Sequence, residues 1–208
     1  MSESNSNLEL VKFNGCKLSH TPFTHVRIEE VFSNDIAEKL LIWLENYENW
    51  KDDTDSLNKS LSSQLTVNEI PQYLKNVFSG DILAKLKTKL ESIFEVRFEE
   101  NIYISVTKRT VGHGTKIHTD YIQPENRDKY YFTHRFLIYL NNGWDKKDGG
   151  MLGIFESYDA NSIVNTIEPL HNSGFGFVIS PNSYHAVGAV SDGERYNLLI
   201  SLRENETV

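Results

Sequence analysis

The sequence predicts an antiparallel β sandwich or barrel, covered on one face by helices from its N-terminal half. Two observations carry that reading. The first is a switch in hydrophobic period. Ile36, Leu40, Leu41, Leu44 and Tyr47, and later Ile82, Leu83, Leu86, Leu90 and Ile93, recur at helical intervals. From Val96 onward the period is two: Ile102, Ile104 and Val106; Phe136, Ile138 and Leu140; Phe175, Phe177 and Ile179; Leu198, Ile200 and Leu202. The second is the punctuation between these runs, at Gly112-His113-Gly114, Asn141-Asn142-Gly143, Asp148-Gly149-Gly150, Ser180-Pro181-Asn182 and Asp192-Gly193. Helices followed by many short strands, with no internal repeat and no linker, make one domain over residues 1–208. Residues 1–7 read as a frayed tail, 8–95 as helical support and 96–203 as the β core.

Taken in order, Leu8, Leu10, Val11 and Phe13 suggest a first strand within residues 8–17, and His25 to Ile28 a second. A helix opens near Ser33-Asn34-Asp35, with Asp35 and Glu38 in capping-box spacing, and Trp43 falls off its apolar stripe. Residues 49–63 are polar and weakly patterned and read as a functional loop. Residues 68–71 can open a short helix, with Pro71 in its first turn, and Ser79-Gly80-Asp81 opens the longer one that follows. Gly149 and Gly150 lack the strand-to-helix setting and Lys-Ser/Thr partner of a phosphate loop, and read as a tight turn before a strand.

Composition narrows the functions. Acids outnumber bases 29 to 21, for a net charge of −8, which disfavours a nucleic-acid substrate. A single cysteine, Cys16, can form no internal disulfide and suits a reducing compartment. There is no apolar run of membrane-spanning length and no signal-peptide pattern at the start, so the expected location is the cytoplasm, away from membranes.

The chemistry centres on residues 117–120. On an extended segment His118 and Asp120 point to one side and Thr119 to the other. One imidazole and one carboxylate then converge, and a second imidazole from a distant strand, His185, completes three ligands on one face of a metal. Such a facial triad with open positions is the signature of non-haem Fe(II) oxygenases. A His-x-Asp pair alone equally describes a hydrogen-bonded pair on a strand, so its neighbours decide. They run His134-Arg135-Phe136-Leu137-Ile138-Tyr139-Leu140-Asn141-Asn142-Gly143-Trp144, then Asp148-Gly149-Gly150-Met151-Leu152, then Pro181, His185 and Gly193-Glu194-Arg195.

This order, over residues 102–202, resembles the iron(II)- and 2-oxoglutarate-dependent dioxygenases of the prolyl-hydroxylase-like branch. The text from Tyr139 to Phe155 looks especially like the oxygen-sensing prolyl hydroxylases and their bacterial relatives. The resemblance implies a double-stranded β-helix, the jelly-roll or cupin-like core. It implies His118, Asp120 and His185 as iron ligands, with three positions left for two oxygens of 2-oxoglutarate and for O2. Arg195, ten residues after His185 across the Asp192-Gly193 turn and so expected on the next strand of a hairpin, would bind the far carboxylate of 2-oxoglutarate. Tyr139 would meet the same carboxylate, and Asn197 stands where many relatives carry serine. Tyr103, Thr115, Tyr131 and His134 are candidates to line the pocket, and Arg109, His113 and Lys116 to meet substrate. Related halogenases lack the carboxylate that Asp120 supplies, which favours hydroxylation.

The reading is therefore a hydroxylase using Fe(II), 2-oxoglutarate and O2, with ascorbate as a reductant in vitro. Its substrate would be an amino acid, a peptidyl residue such as proline, or a related small metabolite. Residues 49–63 and 121–133 are the expected contacts. A non-catalytic cupin-like metal- or sugar-binding module is the alternative, and a zinc hydrolase ranks last for want of a placed general base. The oligomeric state is left open.

Overall fold

The computed structural model describes residues 10–66, 70–78, 80–128 and 131–205. The expected tail, Leu8 of the first strand, Asn68 and Glu69 of the short helix start, and Ser79 lie outside them. In chain order the strands begin with β1 (Val11–Asn14), β2 (Lys17–Ser19), β3 (His25–Ile28) and β4 (Glu30–Phe32). Helix α1 (Asn34–Glu45) precedes β5 (Lys51–Asp52), β6 (Asn58–Lys59) and β7 (Leu61–Gln64). Helix α2 (Gly80–Phe94) is followed by β8 (Tyr103–Arg109), β9 (Gly114–Thr115), β10 (His134–Tyr139), β11 (Leu152–Phe155), β12 (Ile163–Ile167), β13 (Gly174–Val178), β14 (His185–Val187) and β15 (Arg195–Leu202).

A large antiparallel sheet runs β2-β3-β13-β10-β15-β8-β7-β5, and a small one runs β12-β11-β14. His118 adds one further rung to the small sheet, against His185. From β10 to β15 the chain passes back and forth between the two sheets, with β11 and β12 paired within the small one, as in a double-stranded β-helix. For that reason β14 and β15 do not form the hairpin expected from the Asp192-Gly193 turn. β14 pairs with β11, whereas β15 lies between β10 and β8 in the opposite sheet.

Each face of the large sheet buries its own side chains. One face carries Val106, Phe136, Ile138, Leu198 and Ile200 against the apolar stripes of α1 and α2. The other carries Tyr139, Phe175 and Phe177 toward Leu152, Ile154 and Ile167 of the small sheet. The alternations of β10 and β13 thus point to opposite sides, and β13 meets the helical layer with glycine. A Cβ on Gly174 would lie 2.8 Å from Val31 and 2.9 Å from Phe136, and one on Gly176 would lie 3.1 Å from Phe136.

Four local expectations change. The N-cap of α1 is Ser33, whose side chain makes no capping bond. Asp35 lies in the first turn, where it pairs with Lys39 at 2.8 Å instead of closing a box with Glu38. Trp43, off the strict stripe, is buried all the same and packs on Tyr47 and Phe78. Residues 49–63 are no simple loop: β5 and β7 extend the large sheet and β6 pairs with β9. Their polar sequence hid them, because strands at a sheet edge keep solvent on one side and need no apolar alternation. After Pro71 a 3-10 turn, Gln72–Leu74, takes the place of a short α-helix.

Candidate active site

His118, Asp120 and His185 converge. One ligand-type atom from each lies within 4.8 Å of the others. The segment holding His118 and Asp120 is extended but is no continuous strand. His118 is fixed by the rung to His185, in which each amide donates to the other's carbonyl at 3.0 Å. Both imidazoles are oriented in the same way. His118 Nδ1 meets the carbonyl of Lys116 at 2.8 Å and His185 Nδ1 that of Ser183 at 2.9 Å, leaving each Nε2 to face the cluster. Holding Nδ1 as a donor to a carbonyl is how a protein makes Nε2 a lone-pair donor. Asp120 Oδ1 stands 3.6 Å from His118 Nε2, and its Oδ2 accepts from Arg135 Nε at 3.1 Å. Arg135 is held in turn by the hydroxyl of Ser201 and lies over the ring of Phe132.

Electrostatics favour the lone-pair form of two of the three, Asp120 and His185. Burial would raise the Asp120 carboxyl, but His118, Arg135 and His185 overcome it and hold the group well below the ordinary carboxylate range. Burial lowers the His185 pKa, outweighing the pull of Asp120. Burial also acts to lower that of His118, but Asp120 and the Lys116 carbonyl raise it on balance.

The cluster opens into a cavity of about 480 Å³ between the two sheets. Leu137, Leu152, Phe177, Val187 and Leu199 give it apolar walls, and Asp53, Asp55, Leu57, Asn58 and Ser60 of the β5–β7 segment form its rim. Behind it Arg195 is only 2% exposed, and its guanidinium meets no carboxylate and no hydrogen-bond partner of good geometry, with the Tyr139 hydroxyl alone close enough to favour its charge. The guanidinium stacks 5.0 Å from the ring centre of Tyr139, whose buried hydroxyl has no other group near it than Arg195 with which to pair at good geometry. Asn197, opposite Tyr139 in the β10–β15 register, offers a third orphan, its Oδ1. A buried guanidinium costs several kcal/mol unless an anion meets it, so the surroundings of Arg195 suit an anion. Burial raises the Tyr139 pKa, and its hydroxyl remains a proton donor. Gly150 permits the packing: a Cβ there would come 3.0 Å from Arg195 Cδ.

The other candidates divide. Thr115 and Arg109 line the cavity, but Thr115 Oγ1 is taken by the amide of Val187 at 2.7 Å. His134 faces the helical layer, wedged between Phe94 and Phe98, so it does not line the pocket. Tyr103, His113, Lys116 and Tyr131 do not reach the cavity wall. Tyr103 stacks on Phe132, and Tyr131 lies under Arg127 and Arg203. Of the two segments expected to contact substrate, residues 49–63 contribute to the cavity lining through Asp53, Asp55, Leu57, Asn58 and Ser60, whereas none of the described residues 121–128 or 131–133 lines it. Sequence reasoning missed Arg135, although it shares a strand face with Leu137 and Tyr139 at period two.

The architecture is that of the prolyl hydroxylases. The structure matches a prolyl-4-hydroxylase from Pseudomonas putida with a TM-score of 0.70 at 15% identity, over 87% of this chain and 92% of that one. It matches a prolyl hydroxylase from Trichoplax adhaerens, solved with a peptide fragment of the hypoxia-inducible factor oxygen degradation domain, with a TM-score of 0.63 at 14% identity, over 86% and 83%. In sequence, residues 103–201 match the profile of the 2OG-Fe(II) oxygenase superfamily. A prolyl 3-hydroxylase from Xenopus laevis is 27% identical over 188 residues, 88% of this chain but 35% of that protein, so the chain spans about a third of that relative's length. Residues 103–201 thus carry the sequence pattern of the 2OG-Fe(II) oxygenase superfamily, on a fold shared with the prolyl hydroxylases. The family's iron, 2-oxoglutarate and O2 fit the residues present, namely a His/Asp/His donor set and a buried guanidinium that lacks an anion.

Proposed function

We propose that this chain hydroxylates an unactivated C–H bond, most specifically that of a prolyl residue presented by a peptide, and releases succinate and CO2. The observation that carries the reading is the nearness of two incomplete sites: His118, Asp120 and His185 together on the wall of one cavity, and the buried Arg195 and Tyr139 on the same sheet face beside Asn197, which also lines it. Bound Fe(II), 2-oxoglutarate and O2 would supply the oxidising chemistry: one oxygen atom enters the substrate C–H bond and the other enters succinate as CO2 departs. The chain's own residues do the rest. His118, Asp120 and His185 would hold the metal on one face. Arg135 holds the second oxygen of Asp120, which keeps that carboxylate ionised and aimed. Arg195, Tyr139 and Asn197 would hold the far carboxylate of the co-substrate, with Arg195 as the bidentate partner. The apolar walls at Leu137, Leu152, Phe177 and Leu199 exclude water from the reacting centre.

Peptidyl proline is favoured over a free metabolite because the named relatives are prolyl hydroxylases and one was solved with a peptide. The mouth also opens at the β5–β7 rim, where a chain can lie. Among the described residues no helix is long and apolar enough to cross a membrane.

The test is succinate formation from 2-oxoglutarate by the purified protein with Fe(II) and ascorbate, in air and without it, against a library of prolyl peptides and free amino acids. Oxygen-dependent succinate that a peptide stimulates, together with a gain of one oxygen atom by that peptide, is the expected result. No succinate from any arm, or the same yield from His118→Ala, would return the chain to the alternative of a metal-binding module without turnover.

A further inference from the structure

Three arginines stand on the cavity side of the large sheet, and the proposed function employs two of them. Arg135 pairs with Asp120, and Arg195 awaits the far carboxylate of the co-substrate. The third, Arg109, lies directly opposite Arg195 in the β8–β15 ladder. It is only 8% exposed and lines the cavity together with His118 and Asp120. Its Nη2 donates to the neutral side chain of Asn58 at 3.0 Å, and its Nε has no partner. Asp53 on the rim acts on it through space, but among the described residues no carboxylate lies within ion-pair distance of it. The adjacent outward-facing residue contrasts with it: Lys108 has its acid, Glu194, at 2.6 Å.

Two like charges facing each other across a ladder are destabilising, and burial adds to the cost. Arg109 and Arg195 pay it together without a carboxylate between them. Such a pair becomes favourable when anionic groups enter the cavity. A dicarboxylate brings two, one at each end of a short chain. Arg109 lines the cavity wall together with His118, Asp120 and His185, whereas Arg195 lies behind that wall. Of this facing pair, Arg109 is therefore the one on the metal side of the pocket.

We infer that Arg109 is a positioning residue for the co-substrate, holding the carboxylate next to the keto group while Arg195 holds the far one. This rests on the proposed function and deepens it. The pocket would grip both ends of 2-oxoglutarate by arginine. Asn58, which orients Arg109, makes the β5–β7 rim part of that grip.

The experiment measures binding without turnover. Calorimetry under anaerobic conditions, with Mn(II) loaded, follows 2-oxoglutarate and 2-oxovalerate, which share the keto acid end but differ in the far carboxylate. With Fe(II) in place of Mn(II), the visible charge-transfer band of the bound keto acid gives a second readout. Arg195→Gln should weaken 2-oxoglutarate about tenfold or more and leave 2-oxovalerate unchanged, as the loss of one charge-assisted fork dictates. Arg109→Gln should weaken both ligands by a common factor of about tenfold, preserving their ratio. Arg109→Lys, which keeps the charge and loses the fork, should fall between and serves if Arg109→Gln loses its native circular dichroism or its Mn(II). Wild-type affinity for both ligands in Arg109→Gln or Arg109→Lys would overturn the inference and assign Arg109 to the prime substrate. A wild-type protein that holds Mn(II) and binds neither keto acid would instead sink the proposed function itself.

Discussion

His118 and His185 are joined main chain to main chain, each amide donating to the other's carbonyl at 3.0 Å, and their imidazole centres lie 4.4 Å apart. The spacing of the two ligands is thus fixed by a backbone rung, and each ring's rotation by the carbonyl two residues earlier. Pre-set donors lose little freedom when a metal binds. His118→Ala or His185→Ala should therefore leave the rung and the fold in place while removing metal binding. Titration with Mn(II) followed by electron paramagnetic resonance should find one site in the wild-type chain. In either variant the affinity should fall by more than about a hundredfold, beyond what outer-shell changes cause. A variant that retained the site would remove that histidine from the ligand set.

Arg135→Ala is expected to weaken the metal site without touching a ligand. It frees Oδ2 of Asp120, and outer-shell partners of this kind are worth roughly 10–100-fold in metal affinity. The loss should grow as pH falls. Arg135 is one of the groups holding the Asp120 carboxyl below the ordinary range, so without it a proton competes with the metal at a higher pH. Metal affinity at pH 7.5 and pH 5 in both proteins checks this. A pH-independent loss would mean that Arg135 acts by packing on Phe132 and not by charge.

His134 makes stability fall on mild acidification. Burial between Phe94 and Phe98 pushes its pKa down to about 4. Above pH 6.5 the ring is neutral in both folded and unfolded chains and contributes no slope. Below it the unfolded chain takes up a proton that the folded one refuses, so stability drops from about pH 6.5 to pH 4. The total is about 3 kcal/mol from this group. Denaturant melts across that range, beside an NMR titration of the ring, should show the fall and a neutral His134 down to about pH 4. A ring that titrates near 6.5 in the folded protein would refute the account.

Gly174→Ala should destabilise the fold by about 1–3 kcal/mol, the usual cost of overpacking a filled core. Its Cβ would meet Val31 and Phe136 at under 3.0 Å, on the side of the sheet where α1 and α2 lie. Gly143→Ala, where a Cβ meets nothing within 4 Å but φ is +72°, isolates the backbone effect for comparison. Chemical denaturation of both variants measures the difference. Equal stability of Gly174→Ala and wild type would show that the helical layer yields.

The sequence made the donor set legible because it is short-range. His118 and Asp120 share a side by parity alone, and the runs around Tyr139, His185 and Arg195 carry family resemblance. The resemblance also marked Asn197, two residues after Arg195. Parity could not say which face of a strand meets the cavity. Phe136 and Phe177 look alike in an alternating pattern, yet one faces the helices and the other the cavity. His134, read as a pocket residue, fell on the wrong side for that reason. The strands β5, β6 and β7 were missed because they lie toward a sheet edge and carry Lys51, Asp52, Asn58 and Lys59, which no hydrophobic pattern marks. Arg109 and Arg195 face each other only because β8 and β15 pair, a register with no local signature.

The rung between His118 and His185 ties the metal cluster to the completion of the fold. The two residues are distant in the chain, and between them run β10 and β13 of the large sheet and β11 and β12 of the small one. Closing so long a loop costs chain entropy that the later contacts must recover. No half of the β core holds three ligands, so no partly folded chain can bind iron as the finished one does. Metal in the medium acts on the folding equilibrium by mass action, drawing the chain toward the closed double sheet in proportion to the logarithm of its concentration. The same ion that would serve turnover would then also act as a thermodynamic latch on the barrel that carries it.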